Sequence, residues 1–317
     1  MALYASEQDI PISAWDAEKK GVYKCLQCFG PVKARKGRNR LPHFYHLAPS
    51  PSCRLYSKSE DHLLLQLQIQ KDFPHGEILM EKPLLKINRV ADLLWEKKKI
   101  AFEIQCSLLS LPEAEWRTKE YKTAGYEIVW ILDDRIFNKK KLRPAETFLR
   151  DRLSFFASFH RYSRSDVYDQ FEFFLQGKRI KKGKKIPIDL TKIHPTPPTE
   201  WPNELPRQIG KRIAHSVWYF ERDLIHRTLL SKRGFFKSSL QNWVALETLS
   251  EQKRTQAKTF FHRFIWDLYI AALEGLLKKL ALKPEKKRRV DSRGQKQFGK
   301  TDENGKREKD PVCEIKS

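Results

Sequence analysis

Residues 89–107 read RVADLLWEKKKIAFEIQCS, and this stretch decides the fold. Two apolar runs flank a cluster of lysines, and each run carries one acid, Asp92 in the first and Glu103 in the second. A carboxylate inside an apolar strand costs free energy unless something compensates its charge. The pattern predicts two strands joined by a turn at residues 96–99, with two acids that need a partner.

The turn fixes which residues of the two strands face each other. A tight turn centred on residues 97–98 places Asp92 opposite Glu103 and Leu93 opposite Phe102. Directly opposed residues point to the same face of a sheet, with Cβ atoms about 5 Å apart. We therefore expect one face that bears both acids and an opposite face that is apolar.

The two acids indicate a divalent cation. Two like charges opposed across a sheet repel each other, whereas Mg²⁺ accepts a few carboxylates and keeps its other positions for water and phosphate oxygens. Gln105 shares the acidic face, because side chains alternate along a strand. The spacing also fits a solvated sheet face whose acids are neutralised by nearby lysines, an alternative that the apolar character of both strands disfavours.

Composition favours a polyanionic partner. Lys and Arg number 62 against 39 Asp and Glu, which gives a net charge of +23, and the isoelectric point is near 9.8.

The sequence has no run of about 18 apolar residues, so we expect no membrane insertion. The first 20 residues lack the apolar core of a signal peptide, and the five cysteines are too unevenly spaced for a disulfide framework. We therefore expect a cytoplasmic protein.

The pattern of apolar, charged and turn-forming residues changes along the chain. Residues 57–175 are predicted to form a helix, three strands, a helix and a strand, which is the order of a mixed α/β domain. Lysines dominate residues 178–185, which we expect to bind phosphates without sequence preference. We predict five regions: a turn-rich zinc-ribbon or finger-like segment (1–56), the α/β domain (57–175), a basic and proline-rich linker (176–210), a helical region (211–281) and a disordered basic tail (282–317).

The N-terminal segment carries a cluster of metal-ligand residues. Cys25-x2-Cys28 is followed by His43-x2-His46 and by Cys53. Tetrahedral zinc takes four ligands, and the cluster offers five. We favour Cys25, Cys28, His46 and Cys53, with His43 as the alternate ligand. The other interpretations are a redox CxxC pair or simply buried cysteines.

Asp92 followed by Glu103-Ile104-Gln105 resembles the PD-(D/E)xK nuclease motif with Gln in place of Lys. Residues 1–160 resemble the competence protein CoiA family. The resemblance implies a restriction-endonuclease-like mixed sheet core (αβββαβ) at residues 57–175, with a small N-terminal zinc-binding segment and a helical C-terminal region. The matching pieces are YKCLQC (23–28), HFYH (43–46), SEDH (59–62), RVAD (89–92), EIQCS (103–107), RTKEY (117–121) and IVWIL (128–132).

The resemblance also implies roles for individual residues. Asp92 and Glu103 would hold catalytic Mg²⁺ or Mn²⁺, and Gln105 would lie where the nuclease lysine positions the attacking water. Glu60 or His62, on the first helix, would complete the catalytic site. The residues expected to bind substrate are Arg89, Ser107, Arg117 and Tyr121.

Two departures from the family pattern concern positive charge. Gln105 cannot supply the charge of a lysine to the transition state, although the family pattern itself tolerates Gln at this position. Gln66 stands where the resemblance leads us to expect a lysine after SEDH. We therefore carry three hypotheses for function. The first is a CoiA-like, metal-dependent DNA nuclease that processes single-stranded DNA, with recombination proteins, during natural transformation. The second is a non-catalytic, single-stranded DNA-binding accessory that keeps the nuclease fold, and the third is a basic zinc-finger protein associated with RNA.

Overall fold

The structure is a computed structural model, and it describes residues 1–48, 53–160, 163–175, 178–195, 205–229 and 234–281. The chain divides into two compact units, Met1–Thr259 and Phe260–Ser317. The helices in the described ranges are α1 (Glu60–Asp72), α2 (Leu111–Thr123), α3 (Asp134–Phe137), α4 (Pro144–Arg150), α5 (Arg207–His215), α6 (Leu224–Leu229) and α7 (Gly234–Ala281). The strands are β1 (Tyr4–Glu7), β2 (Ile10–Ser13), β3 (Tyr23–Lys24), β4 (Pro31–Gly37), β5 (Arg40–His46), β6 (Leu79–Leu84), β7 (Arg89–Trp95), β8 (Ile100–Gln105), β9 (Glu127–Asp133), β10 (Ser154–Ser158), β11 (Asp166–Asp169), β12 (Glu172–Leu175), β13 (Lys178–Lys182), β14 (Ile186–Pro187), β15 (Asp189–His194) and β16 (Tyr219–Glu221).

A seven-stranded mixed sheet forms the centre of the first unit, with the strand order β14-β11-β10-β9-β8-β7-β6. Strands β8, β9 and β10 are parallel, and the other neighbours are antiparallel. Helix α1 precedes β6, and α2 connects β8 to β9. The predicted mixed α/β architecture is confirmed, and so is the order of helix, three strands, helix, strand.

Local sequence signals set the ends of the two helices that flank the site. The Ser59 hydroxyl accepts a hydrogen bond from the His62 backbone N–H and caps α1, and Ser110 accepts from the Glu113 N–H and caps α2. Such caps satisfy backbone donors that have no partner inside the helix. After α2, Gly125 takes a φ of +84°, a conformation that glycine adopts without steric cost.

Strands β7 and β8 pair in the register that the turn predicts. A 3-10 turn at Glu96–Lys98 and a left-handed Lys99 connect them. The predicted pairing of Leu93 with Phe102 is confirmed, and the pairing ends there, one residue short of Asp92 and Glu103.

Both faces of the sheet are buried at this hairpin. Phe102 packs on one face in a cluster with Leu65 of α1. On the other face, Leu94 and Ala101 pack in a cluster with Tyr121 of α2. The acid-bearing face is therefore covered by a helix and is partly apolar, which departs from the expected contrast between one polar and one apolar face.

The N-terminal segment forms a five-stranded antiparallel sheet, in the order β2-β1-β3-β4-β5. Its small core contains Tyr23, Val32 and Phe44, together with Cys25 and Cys53. The strands are short and separated by turns, which explains the turn-rich texture of the sequence.

The predicted linker at 176–210 is wrong over its first half, because β13, β14 and β15 lie there. Strand β14 pairs with β11 at the edge of the central sheet, and its Ile186 is buried. These segments carry isolated apolar residues among lysines, so they lack the alternation of apolar and polar residues by which strands are predicted. The proline-rich residues 196–204 and the predicted tail at 282–317 lie outside the described residues.

The predicted helical C-terminal region is confirmed in α5, α6 and α7, with one short strand, β16, between them. In the second unit, the helical residues carry exposed apolar side chains, including Phe260, Trp266 and Leu273. Among the described helices, none combines the length and the apolar character needed to cross a membrane.

A buried arginine fixes α5 to the central sheet. Arg212 is fully buried and donates hydrogen bonds to the Asp169 carboxylate on β11 at 2.5 Å and to the Ser154 carbonyl on β10 at 2.6 Å. Burial alone would raise the pKa of Asp169, but Arg212 and Arg150 bring it below its ordinary value.

We predict that Arg212→Ala lowers the free energy of unfolding by about 3–5 kcal/mol, because the substitution leaves a buried carboxylate without one of its two cations. Urea denaturation measures the change. The matched control is Arg38→Ala at an exposed arginine, which we expect to change stability by less than about 0.5 kcal/mol. Equal effects of the two substitutions would contradict the anchoring role of Arg212.

Candidate functional site

A pocket of about 130 Å³ lies where β7 and β8 meet the start of α1 and the second half of α2. Residues from the N-terminal segment, among them Gln27 and Leu55, form one of its walls. The residues predicted from sequence that line it are His62, Arg89, Asp92, Glu103, Gln105, Ser107, Arg117 and Tyr121.

Of the two residues predicted to complete the site from α1, His62 lines the pocket. Glu60 is exposed and lines a separate cavity beside His43 and Met1. The first turn of α1 therefore brings one of the two candidates to the acids.

Asp92 is the most heavily contacted acid of the pocket, and its side chain is only 6% exposed. Its Oδ2 accepts a hydrogen bond from the Ile104 N–H at 2.8 Å. Its Oδ1 lies 2.7 Å from Lys58 Nζ and 3.1 Å from His62 Nε2. Burial alone would raise the pKa of Asp92, but His62 and Lys58 hold it far below its ordinary value, so the carboxylate is ionised.

Glu103 faces the same pocket and is held from α2. Its Oε2 accepts a hydrogen bond from Arg117 Nη1 at 3.1 Å, and its Oε1 accepts one from the Tyr121 hydroxyl. Burial raises the pKa of Glu103, and the charge of Asp92 raises it further.

Gln105 completes a polar row along β8. Its Oε1 accepts a hydrogen bond from Arg117 Nη1 at 3.3 Å, and its amide nitrogen donates to the Ser107 carbonyl at 2.8 Å. Arg117 therefore contacts both motif positions on β8, Glu103 and Gln105. Arg89 lines the same pocket and is paired with Glu120 of α2.

Sequence reasoning missed two charged residues that lie next to Asp92. They are Lys58 and Glu81. Glu81 lies between the residues of β6 that pair with Leu93 and Ala91, so it stands beside Asp92 on the neighbouring strand. Its side chain is fully buried, accepts hydrogen bonds from the backbone N–H groups of residues 3 and 4, and pairs with Lys58 Nζ at 2.9 Å. The acid in LMEKPL was the available signal for Glu81, whereas no motif marks Lys58.

Burial alone would lower the pKa of Lys58. Asp92 and Glu81 outweigh this effect and raise the pKa above its ordinary value, so the ammonium is retained. The positive φ of Glu81, +46°, is a conformation that L-residues rarely adopt, which indicates that its contacts hold the backbone there.

Four of the five predicted zinc ligands converge. The ligand atoms of Cys25, Cys28, His46 and Cys53 all lie within 4.8 Å of one another, and this is the only such group of three or more metal-ligand residues in the described ranges. His43 does not belong to it, and its Nδ1 lies 2.8 Å from the Leu41 carbonyl.

The spacing of these atoms fits a tetrahedral zinc ion. The sulfurs of Cys25 and Cys53 are 3.6 Å apart, and Cys28 Sγ is 3.3 Å from His46 Nε2. Ordinary zinc–ligand bond lengths place two sulfurs about 3.8 Å apart, and a sulfur and a nitrogen about 3.6 Å apart. Burial lowers the pKa of His46, which favours the neutral imidazole that binds metal.

The donors of the pocket fit a hard cation. Two carboxylates and the Gln105 amide oxygen face one space, and Mg²⁺ binds through one or two carboxylates while phosphates and water complete its shell. Each oxygen of Asp92 and Glu103 already contacts a protein donor, so a bound cation would exchange with some of these contacts.

We predict that the purified protein contains about one zinc per chain and that His46→Ala weakens zinc binding at least about 10-fold, because a four-ligand site loses one ligand. Elemental analysis and competition with a chromogenic chelator provide the measurements. His43→Ala is the matched control and should keep its zinc. Zinc loss in His43→Ala with retention in His46→Ala would contradict the assignment.

Comparison with known proteins matches one part of the chain to a family. Residues 59–174 match the family described as competence protein CoiA, nuclease-like domain. No curated protein and no solved structure matches the chain. The matched range begins at the cap of α1 and includes Asp92, Glu103 and Gln105, and it excludes Lys58 and the predicted zinc ligands. Residues 59–174 are thus similar to the family described as competence protein CoiA, nuclease-like domain.

Proposed function

We propose that this chain is a metal-dependent phosphodiester hydrolase that acts on DNA, in the DNA processing and recombination of natural transformation. The observation that carries the proposal is the buried pair Asp92 and Glu103, which line one pocket with Gln105; Lys58 lies beside Asp92, and Arg117 lies beside Glu103. The proposal includes single-stranded DNA as the substrate, recombination proteins as partners and the cytoplasm as the location.

The residues of the pocket would have different roles in hydrolysis. Asp92 and Glu103 would hold Mg²⁺ or Mn²⁺, and such an ion lowers the pKa of a bound water and stabilises the charge on a phosphate. Tyr121 and Arg117 orient Glu103. The Gln105 amide is placed to orient the attacking water, and Arg117 is placed to neutralise a phosphate oxygen.

A second feature supports a nucleic-acid substrate. Two lysine-rich segments, 139–141 and 178–185, lie side by side: Lys141 pairs with Lys178 in a β-bridge, and the Arg179 N–H donates to the Lys140 carbonyl at 2.6 Å. We call the exposed lysines of these segments the lysine surface. Its members are Lys139, Lys140, Lys141, Lys178, Lys181, Lys182, Lys184 and Lys185.

Lys185 of the lysine surface lies at the same end of the parallel strands as Gln105 of the pocket. Lys185 Nζ is 3.2 Å from Ser158 Oγ at the end of β10. Gln105 ends β8, two strands away along the same parallel set. With a strand spacing of about 4.8 Å, a phosphate backbone only a few nucleotides long can contact both.

The contacts of the carboxylates favour a second candidate, a DNA-binding accessory without catalysis. All four oxygens of Asp92 and Glu103 have protein partners, and Gln105 carries no charge. This candidate predicts salt-sensitive binding of DNA without turnover, even in Mn²⁺.

We predict that the wild-type protein cleaves DNA only with a divalent cation and that Asp92→Asn and Glu103→Gln each lower the single-turnover rate by at least about 100-fold, because each removes a charged metal ligand. Cleavage of labelled single-stranded and double-stranded DNA, with and without Mn²⁺, gives the rates. Glu60→Gln is the matched control, because Glu60 is exposed and lies outside the pocket.

Cleavage that survives both substitutions would remove the site from the mechanism. Binding without cleavage by the wild type would support the accessory candidate. Stronger competition by RNA than by DNA of the same length would instead favour an RNA partner.

The lysine surface generates a separate prediction. The double substitution Lys181→Gln with Lys184→Gln should weaken DNA binding and reduce the slope of log affinity against log salt by about 0.7 for each single-strand phosphate that the variant no longer neutralises. Fluorescence anisotropy at several salt concentrations measures the slope. Lys19→Gln with Lys20→Gln makes the same change in net charge at two exposed lysines elsewhere, and an equal effect would show that net charge alone determines binding.

A further inference from the structure

The pocket contains a buried lysine that comes from outside the matched domain. Lys58 precedes the cap of α1, one residue before the range that matches the CoiA nuclease-like family. It follows the 3-10 turn Arg54–Ser57, which itself follows the zinc ligand Cys53. The segment that carries the zinc ligands therefore delivers Lys58 to the nuclease-like domain.

The Lys58 ammonium is held by three side chains. Its Nζ lies 2.7 Å from Asp92 Oδ1 and 2.9 Å from Glu81 Oε1, and it donates to Gln66 Oε1 at 3.3 Å. The Lys58 side chain is only 6% exposed. Lysines are seldom buried to this degree without paired charges, so this ammonium occupies a built position.

Lys58 contacts Gln66, one of the two glutamines that stand where a lysine is expected. Position 105 carries glutamine where the nuclease motif has lysine, and position 66 carries glutamine where the resemblance to the CoiA family leads us to expect lysine. The Gln66 side chain contacts both Lys58 Nζ and the Asp92 carbonyl, the latter at 2.8 Å. The amide at position 66 thus lies between the aspartate and a lysine that comes from another segment.

Arg117, the second cation of the pocket, makes its contacts beside Glu103 rather than beside Asp92. It contacts Glu103, Gln105 and Glu113 from α2. The side of the pocket next to Asp92 has its own cation in Lys58. Glu81 has no place in the pocket lining, so it can hold Lys58 while Asp92 binds another partner.

We propose that Lys58 is a catalytic residue of this pocket: held by Glu81, its ammonium donates a hydrogen bond to a non-bridging oxygen of the scissile phosphate and supplies the positive charge that Gln105 lacks. This inference rests on the proposed function. In hydrolysis the water oxygen forms a bond to phosphorus, the bond from phosphorus to the leaving oxygen breaks, and the leaving oxygen gains a proton. Lys58 stabilises the charge that develops on the phosphate and is unchanged by the reaction.

The test compares Lys58→Met with the wild-type protein and with Lys82→Met, a matched change at an exposed lysine on β6. Methionine keeps an unbranched side chain as far as Cε and removes the ammonium. We expect Lys58→Met to lower the single-turnover cleavage rate by about 10²- to 10³-fold, the usual loss for one donor to a transition-state oxyanion. We expect Lys82→Met to retain the wild-type rate.

Two further measurements separate catalysis from folding and binding. Mn²⁺ affinity, measured by titration calorimetry without DNA, should not fall in Lys58→Met, because the variant removes a cation that competes for Asp92. DNA affinity should change by less than about 3-fold, since one phosphate contact contributes little to it. Lys58→Gln keeps a hydrogen-bond donor in the cluster and serves as the folded variant if Lys58→Met does not fold.

Chemical rescue provides a readout that a structural role would not produce. In Lys58→Ala, ethylammonium should restore part of the cleavage rate in a saturable way, whereas tetramethylammonium, which cannot donate a hydrogen bond, should not. A wild-type cleavage rate in folded Lys58→Met or Lys58→Gln would overturn the inference and leave the proposed function intact. A wild-type protein that binds DNA and Mn²⁺ but does not cleave would overturn both.

Discussion

The burial of negative charge in the central sheet is the constraint on which the rest of the structure depends. Glu81, Asp92 and Glu103 stand on the neighbouring strands β6, β7 and β8, and each is at least nine-tenths buried. Carboxylates in such a setting are tolerated only when cations and hydrogen-bond donors surround them. Lys58 on one side and Arg117 on the other supply the cations, and they come from segments far apart in the chain.

Compensation of these charges joins the parts of the first unit. Glu81 accepts hydrogen bonds from the backbone N–H groups of Leu3 and Tyr4, so the N-terminal sheet is attached to the α/β core through the same carboxylate that holds Lys58. Gln27, between two cysteines of the candidate metal cluster, lines the pocket. The N-terminal segment is therefore part of the wall of the candidate site.

Much of this arrangement follows from short-range pattern in the sequence. Alternation and the lysine turn predict β7, β8 and the pairing of Leu93 with Phe102, and the ligand spacing predicts the zinc cluster. The side chains of Ser59 and Ser110 cap the helices that carry His62 and Arg117. These features depend on contacts between residues that are close in the chain or on a strong motif, and for that reason they can be inferred from a single sequence.

The features that the sequence did not predict depend on long-range contacts. Lys58 reaches Asp92 across 34 positions of the chain through the fold of two segments, and nothing in its neighbours marks it. Glu81 adopts a left-handed backbone in a strand that also contains Pro83, so local propensity argues against its position. Strands β13 to β15 carry scattered apolar residues among lysines, and only their pairing with the rest of the fold makes them strands.

The four-residue connection at 96–99 limits which insertions, deletions and substitutions this part of the chain can accept. Since side chains alternate with a period of two, inserting or deleting one residue in this connection would turn Glu103 to the opposite face while Asp92 stayed in place. Replacing its lysines leaves the alternation untouched, because the turn depends on length and on one left-handed position. Among related chains, this connection should therefore vary freely in composition and hardly at all in length.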